Sequence, residues 1–289
     1  SADDPNSEPR VMQARVSGLE YFAAHHNGKF YIVNNDGAKN FKLSVAPVER
    51  PAKENWVEVI PHREDVLLEG VSAFQHHIVL RERKDGLRQI RICNPGNVTD
   101  SRLTQFPEPA YSVELENNPE FDTRLLRISY SSLITPTTIV DIDMNTGAWE
   151  VKKTTEIPSG YNQEEYVSER IHATAPDGAR VPISIVYKKG LARDGKNPTL
   201  LHGYGAYGAN LDAEFTPNRL SLLNRGFVFA VGHIRGGSDM GRAWYEDGKV
   251  LNKKNSFTDF IACAEHLIQK GFTSREKLAI YGVSAGGLL

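Results

Sequence analysis

The sequence predicts two unlike parts in series: β-propeller blades over residues 1–157, then an α/β domain over 158–289. Three observations carry this. β-rich runs recur at near-equal intervals in the first part. Near residue 160 the pattern changes to strands alternating with a helix. At the end a strand runs into Gly282-Val283-Ser284-Ala285-Gly286.

The runs "FYIVNN", "HIVLRE" and "LLRISY" start at Phe30, His77 and Leu125, intervals of 47 and 48 residues. A β-only unit of about 40–50 residues is the period of a propeller blade. Asp36-Gly37, Asp85-Gly86 and Asn145-Thr146-Gly147 are turn signals between strands of such units. About three blades fit, fewer than the four to eight with which propellers close.

"TTEIPSGYNQEEY" reads as a linker, with Pro158, Ser159 and Gly160 as breakers. Beyond it, "VPISIVYKK" predicts an alternating strand. "NPTLLHGYGAYG" predicts a short strand entering a Gly/Tyr loop, and "NRGFVFAVGHIRGG" a fully buried strand. A helix is predicted over about 257–270. Ser256 with Asp259 forms its capping box, Phe260, Ile261, Ala264, Leu267 and Ile268 its apolar stripe, and Gly271 its stop. Strands alternating with helix imply a largely parallel sheet covered on both faces.

The totals exclude several classes. Of 289 residues 40% are hydrophobic and 24% charged, with formal net charge −2, so no basic field draws the chain to nucleic acid or membrane. Cys93 and Cys263 stand alone, without the spacing of a disulfide framework or a zinc site. No metal or organic cofactor is suggested. The acidic start "SADDPNSEPR" lacks the basic and apolar regions of a signal peptide, and no run is long enough to span a membrane. The expectation is a cytoplasmic protein.

G-x-S-x-G is weak alone, but here a strand precedes it and small residues flank it, as a strained strand-to-helix turn requires. Ser284 is then a nucleophile, and the N–H of Ala285 the natural donor to an oxyanion. The loop "LHGYGAYGAN" stands where a second donor belongs, with Tyr204 or Tyr207 offering a phenolic O–H. His202, His233 and His266 read as structural, because in this arrangement the base follows the serine in the chain. Asp239, Glu246 and Asp247 read as solvated loop. Arg235-Gly236-Gly237 reads as a turn whose arginine is tied to carbonyls.

"LLHGYGAYGANLDAEF", "FVFAVGHIRGGSDMGRAWYEDGKVLNKKNSFTDFIACAEHLI" and "YGVSAGGLL" together resemble the prolyl oligopeptidase family of serine peptidases, most of all its oligopeptidase B branch. The resemblance implies a seven-bladed propeller over an α/β-hydrolase domain, here incomplete and stopping just after the nucleophile elbow. It makes Ser284 the nucleophile, Tyr204 the hydroxyl donor beside the N–H of Ala285, and Tyr207 an aromatic wall of the specificity pocket. Asp212 and Glu214 match acidic positions that serve basic substrate side chains. In extended chain, residues i and i+2 share a side, so two carboxylates could face one arginine or lysine.

The implied partners are short peptides with basic residues and the remainder of the same polypeptide, which would carry the catalytic acid and histidine. The segment alone is expected to be inactive, and a whole propeller would exclude folded proteins. The alternatives are a prolyl or acylaminoacyl peptidase or esterase of the same fold, or a catalytically dead interaction protein.

Overall fold

The computed structural model describes residues 6–289; the first five residues of the acidic start lie outside the described ones. Three four-stranded antiparallel sheets come first. They comprise β1 (Tyr21–His26), β2 (Lys29–Asn34), β3 (Lys42–Pro47) and β4 (Val57–Ile60); β5 (Val66–Ala73), β6 (Ile78–Lys84), β7 (Leu87–Asn94) and β8 (Asn97–Leu103); and β9 (Tyr111–Leu115), β10 (Leu125–Ser132), β11 (Thr138–Asp143) and β12 (Trp149–Thr154). Each is a propeller-type blade.

The runs that recur in the sequence are β2, β6 and β10, the second strand of each blade. An inner strand is paired on both edges and packed on both faces, so its apolar code is the strongest. Ile32, Val33, Ile78, Val79, Leu80, Leu126 and Ile128 are all buried. Val79 and Ile78 look to opposite neighbours: Val79 packs toward the third blade with Leu126, and Ile78 toward the first with Val33. Asp85 (φ 49°) and Gly86 (φ 74°) are both left-handed, the two-residue hairpin loop that their dipeptide signals. The Asp143 carboxylate accepts from the N–H groups of Asn145 and Thr146 at 2.9 and 3.0 Å, closing β11 onto β12.

The second part is one five-stranded sheet in the order β13-β14-β16-β15-β17, with β13 (Tyr166–Thr174), β14 (Arg180–Lys188), β15 (Thr199–His202), β16 (Val228–Gly232) and β17 (Leu278–Tyr281). Only β16, β15 and β17 run parallel. β13 and β14 form a hairpin, and β14 lies antiparallel to β16, so the sheet is mixed rather than largely parallel. β14 does not alternate between core and solvent either. Ile183 and Ile185 face helix α3 (Lys254–Gln269), while Val186 faces α1 (Pro217–Leu223) and Leu133 of the third blade. Both faces are buried, which removes the polar half of the pattern.

Helix α3 starts earlier than its capping signal suggests. Ser256 caps nothing: it lies inside the helix, buried, with Asp259, Phe260, Cys263 and Leu267 on the face toward the sheet. Ile261, expected in the apolar stripe, is 56% exposed. The polar pair is on the core side because it serves a neighbouring loop, as described below.

The stretch between β12 and β13 is tied down. The Tyr161 hydroxyl donates to the Ile134 carbonyl at 2.5 Å, and its ring stacks on Tyr166 at 5.4 Å. Ion pairs then span the two parts. Lys39 meets Glu246 at 2.8 Å, Arg242 meets Glu20 at 2.9 Å, and Arg83 meets Asp212 at 2.7 Å. Among the described residues no helix is long and apolar enough to cross a membrane.

Glu69 and Asp212 both bind Arg83, and Arg88 also holds Glu69. Burial pushes both carboxyls up, but the arginine charges and hydrogen bonds outweigh it and hold both below their ordinary values of 4.5 and 3.8. A carboxyl with a depressed folded pKa contributes stability that is complete above its unfolded pKa and lost as pH falls through the folded one. Thermal midpoints are therefore expected to be level above about pH 5 and to fall below about pH 4. Replacing Asp212 with asparagine should flatten that acid limb, which differential scanning calorimetry across pH would show.

Candidate active site

β17 delivers the chain to Ser284 through a sharp turn. Ser284 sits at φ 53°, a left-handed conformation that a non-glycine residue adopts at a cost of about 1–2 kcal/mol. A 3₁₀ turn over Ser284–Leu288 follows. Two glycines make the fold-back possible. A Cβ on Gly282 would lie 2.0 Å from the Gly286 carbonyl oxygen, and one on Gly286 would lie 2.7 Å from that of Gly203. Ser284 is exposed, while Gly286 seats against the backbone of Gly203 and Tyr204.

That contact brings the serine turn and the Gly/Tyr loop together. The Gly203 N–H donates to the Tyr281 carbonyl at 3.2 Å. Tyr204, half-buried, follows at once, and Ala285 is the second residue of the 3₁₀ turn. The loop is held from the far side. Gly205 offers its carbonyl to the Lys253 ammonium and, at 3.3 Å, to the Ser256 hydroxyl, and Gly208 donates to the Gly236 carbonyl at 2.9 Å. Burial lowers the Lys253 pKa.

Behind this loop lies a cluster that the sequence reading missed. Asp259 takes Nε and Nη2 of Arg235 at 2.9 and 2.6 Å and also the Arg235 backbone N–H at 2.9 Å. Asp177 takes Nη1 at 2.5 Å, and the Ser256 hydroxyl donates to the Arg235 carbonyl at 2.6 Å. Arg235 is thus tied to carboxylates, not to carbonyls. The spacing of Ser256 and Asp259 was a usable signal: two polar residues at i and i+3 on an apolar helix face either cap the helix or bind something in the core.

Asp212 and Glu214 line a hollow of about 440 Å³ with Leu200, His202, Arg219, Phe229 and Tyr281. Ser284, Tyr204 and Tyr207 do not line it, although Tyr281 lies three residues before Ser284. Asp212 already has a partner, both its oxygens being taken by Arg83 at 2.7 and 3.1 Å. Glu214 is exposed and accepts from the Ser112 hydroxyl at 3.2 Å. Tyr207 is 80% exposed, at φ 59°.

His202 packs on the rings of Phe229 and Tyr281, and burial lowers its pKa. His233 bridges Ser184 at 2.8 Å and Asp239 at 3.0 Å. The order mimics a catalytic triad, but all three are buried in the sheet and its loop, so the network is structural. It also takes Asp239 out of the solvated loop that its sequence context suggests. Among the described residues no side chain hydrogen-bonds the Ser284 hydroxyl, and no cluster of His, Cys, Asp or Glu could hold a metal ion.

Residues 1–155 match the family described as "Prolyl oligopeptidase, N-terminal beta-propeller domain", and residues 213–289 match "Prolyl oligopeptidase family". The chain belongs to the prolyl oligopeptidase family. Among relatives it is 42% identical over 281 residues to dipeptidyl aminopeptidase BI of Pseudoxanthomonas mexicana, covering 96% of this chain and 38% of that protein. It is 37% identical to protease 2 of Moraxella lacunata, covering 99% of this chain and 41% of that one. The solved oligopeptidase B of Leishmania major superimposes with a TM-score of 0.89 at 37% identity, over 96% of this chain and 40% of that one. Oligopeptidase B of Trypanosoma brucei, solved in a closed form with covalently bound antipain, gives 0.87 at 37% identity, over 94% and 39%. The chain spans about two-fifths of the length of these prolyl oligopeptidase relatives.

Proposed function

We propose that this chain is the nucleophile-bearing part of a serine oligopeptidase that cuts short peptides after arginine or lysine. The observation that carries the reading is the left-handed Ser284 turn seated on Gly203–Tyr204. In the reaction the Ser284 Oγ attacks the scissile carbonyl and forms an acyl-enzyme. The developing oxyanion is met by the Ala285 N–H and the Tyr204 hydroxyl. The serine proton passes to a histidine, and an acid orients that histidine; the rest of the polypeptide supplies both. The acidic segment that ends at Glu214 favours basic side chains, and Tyr207 walls the pocket beside the scissile bond. No metal or organic cofactor enters this scheme, the propeller keeps folded proteins out, and the compartment is the cytoplasm.

A second reading has its own support in the 42% identity to a dipeptidyl aminopeptidase. Such an activity needs a free amino terminus on its substrate. One experiment separates the two. The longer polypeptide would be assayed on arginyl, lysyl and prolyl amide reporters, each with blocked and with free amino termini. Cleavage of blocked arginyl and lysyl reporters supports the oligopeptidase. Cleavage confined to free-amine dipeptidyl reporters supports the second reading, and a preference for prolyl reporters sinks the basic specificity.

A further inference from the structure

The two acidic residues that the sequence assigns to one basic subsite are in unlike states. The Arg83 side chain is 0% exposed although it carries a full charge. Its fork holds Asp212 through both carboxylate oxygens, while Nε donates to Glu69 at 2.8 Å and Nη1 also reaches the Gly86 carbonyl at 3.2 Å. This is the geometry in which a guanidinium binds a carboxylate best. An arginine side chain already sits on Asp212, and it comes from blade strand β6 of the same chain.

The surroundings reinforce this. Glu69 also takes Nε of Arg88 at 2.6 Å, and Arg88 pairs with Glu114 as well, so Arg83 and Arg88 are tied to three carboxylates, Glu69, Asp212 and Glu114. Arg170, buried nearby, adds a further cation that acts on Arg83. A substrate cation approaching Asp212 would have to displace the Arg83 fork and leave it with Glu69 as its remaining carboxylate partner, and breaking a buried ion pair is costly. Glu214, two residues on, is exposed: its carboxylate accepts only the Ser112 hydroxyl, at 3.2 Å, and Arg219 beside it is tied to the Glu214 carbonyl at 2.9 Å.

We infer that the pair divides its roles: Glu214 alone receives the substrate's basic side chain, while Asp212 is a positioning residue masked and clamped by Arg83 of the propeller. This rests on the peptidase reading above. The clamp fixes the 212–214 segment against the blades, so the propeller sets the position of Glu214. Removing Arg83 without touching Asp212 should unmask a second carboxylate.

The test compares kcat/KM of the longer polypeptide on reporters carrying one or two basic residues. A charge-assisted hydrogen bond to substrate corresponds to about tenfold or more in this ratio. Glu214→Gln is expected to lower the two-to-one preference about tenfold, and Arg83→Met to raise it severalfold, as no purely structural role would. The double variant Arg83→Met/Asp212→Leu replaces the ion pair with an apolar contact and should return the preference to within about twofold of the parent. It decides the matter even if Arg83→Met alone does not fold. A double variant that loses as much preference as Glu214→Gln does would overturn the clamp, because Asp212 would then be binding substrate in the parent. A parent with no basic preference at all would instead sink the specificity reading. In that case, coupling between Arg83 and Asp212 in urea unfolding decides the clamp by itself, present if it stands and absent if it falls.

Discussion

Replacing Ser284 with alanine in the longer polypeptide is expected to lower kcat by about 10⁴-fold or more, with KM little changed. Labelling by a fluorophosphonate should vanish with it. The magnitude follows from the role: without the hydroxyl there is no acyl-enzyme, and only binding and the oxyanion donors remain. Removing one of those donors, as in Tyr204→Phe, should cost about 10²–10³ instead. The backbone offers an independent check on the same residue. Ser284 is held at φ 53°, and alanine there would carry the same strain. Glycine would not, so Ser284→Gly should be as inactive as Ser284→Ala yet more stable by about 1 kcal/mol. Calorimetry of the two inactive variants measures that difference. Equal midpoints would mean the turn is not strained, and an active Ser284→Ala would end the nucleophile assignment.

The blades and the serine turn were legible because their signals are local. β2, β6 and β10 are inner strands whose burial leaves an uninterrupted apolar run. The Asp85-Gly86 loop is dictated by two left-handed residues, and the Ser284 turn by glycines where any Cβ would strike backbone. What the sequence concealed depends on partners far away in the chain. Nothing near Asp212 shows that Arg83, 129 residues earlier, would take both its oxygens. Strand direction was also hidden, since a β14 buried on both faces reads alike in a parallel or an antiparallel sheet. The misplaced start of α3 has the same origin. Ser256 and Asp259 carry the spacing of a cap but spend their hydrogen bonds on Arg235, a contact that only tertiary packing reveals.

That contact carries the largest stability effect expected here. Asp259→Ala would leave the Arg235 guanidinium, 7% exposed, with Asp177 as its remaining carboxylate partner, and would strip the Arg235 backbone N–H of its acceptor. Breaking a buried, hydrogen-bonded ion pair from one side costs about 3–5 kcal/mol. Urea unfolding should show that loss as a lower midpoint at unchanged slope. Asp259→Asn keeps an oxygen for the backbone N–H but loses the charge, so it should fall between the two. Ser256→Ala removes the hydroxyl's bond to the Arg235 carbonyl and the one it accepts from the Lys253 ammonium at 3.2 Å, and should cost less, about 1–2 kcal/mol. The consequence reaches the site through backbone: Gly236 accepts from Gly208 at 2.9 Å, and Gly208 closes the loop that presents Tyr204. Destabilising residues 235–236 should therefore loosen Tyr204 before the sheet yields. Asp259→Asn is accordingly expected to lower kcat at temperatures where the protein is still fully folded. If its kcat matched the parent's until unfolding began, the cluster would hold the fold without positioning the loop.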